Sequence, residues 1–313
     1  MTLLSQILGT LLFAASLFLP MKTAMAEQSS LQVDVLDTLV LDAPRVDGLK
    51  ISELSGLAYD HMQDVLFAVS DKGRLFSFKL DLTGDNIAVL LPLAGHRLVD
   101  PNGARMIDQG FNAEDIALYE DGTLAIVSET GPQIARFSRQ GVWIENVNVP
   151  AALRDPAAQR SKKDGLESLA LHPTLGLLSA PEEPLEHRER RTQTIYAATG
   201  QSFSYDTAEI GTTSIKAMDA LPDGRLIVLE RDVAADGVSL VPWLRLLNPG
   251  DCTKGLLCKT QVAKVKIPKI SDADFEGLAR LTDDLFLIVS DDKIDGEQRS
   301  VFGLLRVRAM PAG

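Results

Sequence analysis

Cysteine is nearly absent from this 313-residue chain: there are two, beside four histidines and only 5% aromatic residues. Two cysteines and four histidines with no paired spacing leave no zinc cluster to build. Positive charge is also in deficit, with 31 Lys+Arg against 43 Asp+Glu and a formal net charge of -12. Such a surface repels phosphate backbones and anionic lipid heads, and no basic stripe compensates, so nucleic acid is excluded as a partner. Missing too are a Gly-x-Ser-x-Gly elbow, a Gly-x-x-x-x-Gly-Lys phosphate loop, a dinucleotide glycine fingerprint and a His-Glu-x-x-His pair. These absences remove an α/β-hydrolase serine esterase, a P-loop nucleotidase and a Rossmann dehydrogenase.

Long apolar runs are missing everywhere but the beginning. Residues 2–20 carry Leu3, Leu4, Ile7, Leu8, Leu11, Leu12, Phe13, Leu17, Phe18 and Leu19, and Ala24-Met25-Ala26 follows. The pattern is that of a secretory signal peptide over residues 1–26, with a retained membrane anchor as the alternative because no Lys or Arg precedes the run. A periplasmic or secreted location follows, with no membrane span after cleavage. Residues 27–313 then form one domain, read as a monomer. Cys252 and Cys258 bracket a short segment and, in an oxidising compartment, are expected to pair.

What the sequence does contain is a repeat. Ser55-Gly56-Leu57-Ala58, Glu114-Asp115-Ile116-Ala117, Glu167-Ser168-Leu169-Ala170, Asp219-Ala220-Leu221 and Glu276-Gly277-Leu278-Ala279 each lead through a turn to a second apolar run. Those runs end on Asp71, Glu129, Glu182, Glu230 and Asp291. The starts recur about every 55 residues. Asp121-Gly122 and Asp223-Gly224 supply the positive φ that a tight hairpin demands. Two more β-rich runs follow each acidic end, and no stretch after residue 26 sustains a helical period. Four strands per unit repeated radially predict an all-β, five-bladed propeller, closed by strands from the N- and C-terminal ends, with a sixth degenerate blade as the alternative.

In such a ring the first strand of each blade lines the channel, so Glu114, Glu167, Asp219 and Glu276 are expected to converge, with Asp71 and Asp291 nearby. Crowded carboxylates raise one another's pKa unless a cation compensates them. Ca²⁺, which accepts six to eight oxygens, is the expected cofactor. Glu114, Glu167 and Glu276 are read as ligands or bases, Asp219, Asp71 and Asp291 as further ligands. Lys72, Lys163, Arg231 and Lys293, beside the strand ends, are read as clamps for a small anionic ester. The competing reading gives the carboxylates to backbone N–H groups of the adjacent blade, leaving a non-catalytic propeller that binds an envelope ligand or a partner protein.

Four segments also resemble a bacterial family of secreted propellers named for an esterase-like activity of phytase. They are Glu53–Tyr59 with Phe67–Asp71, Asp164–Ala170 with Ala180–Leu185, Leu229–Asp232, and Asp274–Ala279 with Val289–Asp292. The resemblance implies hydrolysis of ester or phosphoester bonds. The propeller phytases it is similar to use calcium ions to bind phosphate and activate water, and calcium-dependent lactonase propellers are similar in placing a Glu where Glu167 and Glu276 stand.

Overall fold

The computed structural model describes residues 31–161, 165–211, 213–234, 237, 239–268, 270, 273–291 and 299–310. The expected signal segment and the candidate clamps Lys163 and Lys293 lie outside them. Strand β1 (Leu31–Leu41) and a small hairpin, β2 (Arg45–Val46) with β3 (Leu49–Lys50), precede the first blade. Blade one comprises β4 (Leu54–Asp60), β5 (Val65–Ser70), β6 (Arg74–Thr83) and β7 (Asn86–Arg97). Blade two comprises β8 (Ala113–Leu118), β9 (Leu124–Ser128), β10 (Gln133–Phe137) and β11 (Trp143–Val147). Blade three has β12 (Leu166–His172), β13 (Gly176–Pro181), β14 (Thr192–Ala197) and β15 (Ser202–Asp206). Blade four has β16 (Ser214–Ala220), β17 (Leu226–Val233), β18 (Leu240–Leu247) and β19 (Thr260–Lys264), and blade five β20 (Asp274–Arg280), β21 (Leu285–Asp291) and β22 (Ser300–Ala309).

Each blade is a four-stranded antiparallel sheet. The fourth strand of blade five is β1, which pairs with β22 from Leu31↔Ala309 to Leu41↔Ser300. The chain is therefore a five-bladed β-propeller whose ring is closed by its N- and C-terminal strands, as the repeat predicts. The inner strands β4, β8, β12, β16 and β20 each touch the next, and β20 returns to β4. Gly122 and Gly224 turn the inner hairpins of blades two and four at φ +83° and +87°, the left-handed region that glycine enters without steric cost.

Apolar burial is divided among the five joints between blades. On β9, Leu124 and Ile126 pack toward blade one while Ala125 and Val127 pack toward blade three. Both faces of a middle strand are thus covered, which is why these strands read as continuous apolar runs instead of alternating ones. The joint between blades five and one holds Leu57, Phe76, Phe78, Val289 and Phe302, with the Phe78 and Phe302 rings edge to face at 6.2 Å. Small residues let five inner strands fit around one axis: a Cβ on Gly56 would lie 2.6 Å from the Asp115 Cα. Cys252 and Cys258 are disulfide-bonded, and the loop they close is fastened by Cys258 N–H donating to the Ser204 carbonyl at 2.7 Å.

Candidate functional site at the channel mouth

Every inner strand carries an irregularity near its start. Pairing jumps from Leu54 to Gly56 in blade one, Leu166 to Ser168 in blade three, Ile215 to Ala217 in blade four and Phe275 to Gly277 in blade five. Blade two jumps from Ala113 to Ile116. A β-bulge leaves one residue out of the ladder and re-aims its side chain. The residues left out are Ser55, Glu114 with Asp115, Glu167, Lys216 and Glu276. The bulge therefore follows an apolar residue and precedes a small one in four of the five blades.

Three of these bulge residues meet. Lys216 Nζ lies 2.6 Å from Glu167 Oε1 and 3.0 Å from Glu276 Oε1, and a third carboxylate, Glu182 Oε1 at the end of β13, stands 3.0 Å away. One ammonium thus joins blades three, four and five, and each of its three N–H donors has a carboxylate to meet. Lys216 is only 5% exposed. Burial pulls its ammonium down, but Glu167, Glu276 and Glu182 outweigh that and hold it well above the usual lysine range. Arg231 extends the network, donating through Nη2 to Glu182 Oε1 at 2.9 Å and through Nη1 to Asp274. It is partly exposed at the rim, and Asp274 and Glu182 raise its pKa against the effect of burial.

Glu114 is different. Its Oε1 accepts from Asn112 Nδ2 at 2.6 Å, the same nitrogen that donates to Glu129 Oε2 at 2.8 Å. Among the described residues no Lys or Arg reaches Glu114 within ion-pair distance. Burial first, then Glu167, Glu276 and Glu129, push its carboxyl well above the ordinary value, and Lys216 offsets only part of this. Burial also raises Glu167 and Glu276, with Lys216 opposing in both. The short Lys216–Glu167 contact has the length of a charge-assisted bond between ammonium and carboxylate, so Glu114, which has no such contact among the described residues, is the carboxyl of this set whose surroundings most favour a proton.

The remaining candidates go elsewhere. Asp219 sits three residues beyond the bulge position of its blade. Its Oδ2 accepts the Arg280 N–H of blade five at 2.7 Å and its Oδ1 the Ala220 N–H, and burial raises its pKa. Asp115 does the same between blades two and three, accepting Leu169 N–H at 2.9 Å. Glu230 turns inward between blades three and four, where it pairs with the fully buried Arg245 at 2.9 Å. Asp71 and Lys72 form a separate group on blade one, with Lys72 Nζ 3.0 Å from Asp71 Oδ2 and 3.2 Å from Glu53 Oε1. Asp291 ends β21 opposite Asp274. At the other mouth of the channel lies a cavity of about 580 Å³ lined by Tyr59, His61, Tyr119, Met218 and Arg280, which holds none of the bulge side chains.

A family profile described as phytase-like, esterase-like activity of phytase, matches residues 50–294. The chain belongs to the phytase-like family. Searched against curated proteins, this phytase-like sequence finds no match. Among solved structures, the phytase-like chain is similar to PQQ-bound aldose sugar dehydrogenase from Streptomyces coelicolor, at 11% identity and TM-score 0.47, covering 90% of this chain and 100% of that one. It is similar also to virginiamycin B lyase from Staphylococcus aureus, at 8% identity and TM-score 0.44, covering 88% and 99%. The Pan2 WD40 domain of Neurospora crassa follows at 12% identity and TM-score 0.41, covering 89% and 70%.

Calcium, which the family resemblance implies, does not fit the hub of this phytase-like propeller while Lys216 occupies it. The oxygens that would ligate it already surround an ammonium at 2.6–3.0 Å, and a divalent ion among them would face that charge at contact distance. Among the described residues no group of three or more His, Cys, Asp or Glu side chains is disposed to hold a metal ion. Of the expected ligands, Glu167 and Glu276 hold Lys216, Asp219 holds backbone, and Asp71 holds Lys72 in this structure. Arg231, expected as an anion clamp, is engaged by Glu182 and Asp274. Lys216 and Asn112 were not visible as site residues in the repeat, although the apolar-x-small pattern around Lys216 marks its position.

Proposed function

We propose that this phytase-like propeller hydrolyses a neutral carboxyl ester or lactone at the acidic mouth of its channel, with Glu114 as general acid and Glu276 as general base. The observation that supports this reading is Glu114 itself, a buried carboxyl beside several others that has no ion-pair partner among the described residues. A carboxyl whose surroundings favour its protonated form can deliver a proton to a leaving alkoxide. Glu276, whose pKa is raised by burial yet restrained by Lys216, takes a proton from water as the water oxygen bonds to the carbonyl carbon. The C–O bond of the ester then breaks and Glu114 protonates the departing oxygen. Arg231 at the rim, with Lys216 behind it, supplies the positive field that stabilises the negative charge building on the carbonyl oxygen.

Charge favours a neutral substrate over a phosphoester. Among the described residues Glu114, Glu129, Glu167, Glu182, Asp274 and Glu276 stand around two cations, Lys216 and Arg231, so a phosphate dianion would enter against a carboxylate majority there. The proposal keeps the exported location expected from residues 1–26, which cell fractionation would check.

The deciding experiment is a panel of p-nitrophenyl carboxyl esters, lactones and phosphomonoesters assayed with the wild type, Glu114→Gln and Glu276→Gln. Turnover of carboxyl esters, reduced roughly 10²–10⁴-fold in both variants, is expected. No turnover, or turnover untouched by either change, would overturn the reading. A second reading is favoured by the way Lys216 and Arg231 each tie separate blades together: the carboxylates hold the ring and the face binds an envelope ligand or protein. That reading expects no hydrolysis and retention of one partner from envelope extract.

A further inference from the structure

We infer that Lys216 is a tethered substitute for a metal ion: its ammonium fills the position where carboxylates of neighbouring blades would otherwise share a divalent cation, and the hub stays closed to calcium while that lysine is present. The inference stands whether or not the hub hydrolyses anything.

Three observations carry it. The bulge occurs at the same point of every inner strand, and in blade four alone its side chain is a base. The Lys216 ammonium is met by one oxygen each from Glu167, Glu182 and Glu276, three hard anionic donors of the kind that calcium takes. The ammonium is also sealed, with Lys216 and Glu167 each 5% exposed at the side chain, so no bulk ion competes with it for those oxygens. A covalently attached cation is held at a high effective concentration and cannot be chelated away.

Removing the lysine leaves Glu167, Glu182 and Glu276 around a vacated volume, with Glu114 adjacent and, among the described residues, Arg231 as the cation at its edge. The uncompensated carboxyls then have two ways out: take up protons, or take up a metal ion. At pH 8 the metal is favoured, because protons are scarce and calcium with retained waters satisfies several carboxylates at once.

The test uses the full chain and calcium chloride against EDTA. Wild type, Lys216→Ala, which opens the volume, and Lys216→Gln, which keeps it filled but neutral, are compared at pH 8 by thermal unfolding and calorimetric titration. The wild type is expected to melt at the same temperature with and without calcium. Lys216→Ala is expected to bind about one calcium per chain and to gain several degrees in Tm at roughly 100 times Kd. The response should disappear in the double variant Lys216→Ala/Glu167→Gln. Stoichiometric calcium binding by the wild type that is lost in Glu167→Gln overturns the inference. So does a folded Lys216→Ala without a calcium response. Failure of both Lys216 variants to fold even in calcium also counts against it, since a hub able to take the ion would be restored by it. Ester turnover is not a readout here, so its absence leaves the calcium result intact.

Discussion

Lys216 and Glu167 face each other across the joint between blades three and four, Nζ to Oε1 at 2.6 Å, each with about a twentieth of its side chain exposed. Two charges removed from water in this way repay their desolvation only when both partners are present. Without Lys216 the Glu167 carboxylate is a buried, uncompensated charge, whereas Lys216 without Glu167 still meets Glu182 and Glu276.

Lys216→Ala is accordingly expected to lower the unfolding free energy in EDTA by about 3–5 kcal/mol, the range for breaking a buried pair from one side. Glu167→Gln is expected to cost less, since the amide oxygen still accepts from the ammonium, and Glu182 and Glu276 remain in place. Urea unfolding of both variants checks the order. Equal losses, or a loss below 1 kcal/mol for Lys216→Ala, would show that the contact contributes little to the ring.

Glu114 gives stability a defined pH slope. Its carboxyl is held well above its ordinary value of 4.5 in the folded chain, so the folded state keeps a proton that the unfolded state releases. The contribution is fully present below about pH 4.5 and is lost as pH rises toward the folded value. Glu114→Gln removes this titration, and the amide suits a site that holds a neutral carboxyl. Between pH 5 and pH 8 the urea midpoint of the wild type is therefore expected to fall more than that of Glu114→Gln. A steeper fall in the variant would reverse the assignment of the proton to Glu114.

Asp219 and Asp115 act as clasps between blades, and their removal is expected to be felt at one peptide group each. Asp219→Ala leaves the part-buried Arg280 N–H without its 2.7 Å acceptor, at a cost toward the lower end of the roughly 1–3 kcal/mol of an unsatisfied donor. Asp219→Asn retains an acceptor oxygen and is expected to keep most of the stability. Hydrogen exchange should show the Arg280 amide unprotected in the alanine variant and protected in the asparagine one.

The ring was legible in the sequence because its punctuation is local. Asp121-Gly122, Asp223-Gly224 and the apolar runs ending on an acid recur at a blade's spacing, and each encodes its own hairpin without help from distant residues. Glu114, Glu167 and Glu276 were legible as channel residues for the same reason. The hub's cation was not, because blade four carries a charge reversal: Lys216 occupies the bulge that holds Glu167 and Glu276 in its neighbours, while Asp219-Ala220-Leu221 imitates the Glu-x-Leu-Ala pattern three residues later. The role of Asn112 was invisible in the repeat, since it precedes β8 and acts by sharing one amide nitrogen between Glu114 and Glu129. Charge compensation across three blades is a property of the closed ring, and no single repeat contains it.

Close packing of the inner strands sets the last expectation. A Cβ on Gly56 would stand 2.6 Å from the Asp115 Cα and 2.8 Å from the Glu114 carbonyl oxygen, both backbone atoms that cannot swing aside. Gly277 meets chiefly side-chain atoms instead, with Val289 Cγ1 at 2.7 Å and Leu57 Cγ at 3.1 Å, and these have rotamers to relax into. Gly56→Ala is therefore expected to cost more than Gly277→Ala, at or above the roughly 1–3 kcal/mol of ordinary overpacking. Because β8 would have to retreat from β4 and carry the Glu114 bulge with it, Gly56→Ala should also lower any turnover at the hub. Comparable urea midpoints for the two variants would mean that the inner strands have slack which the close approach of Gly56 to Asp115 denies.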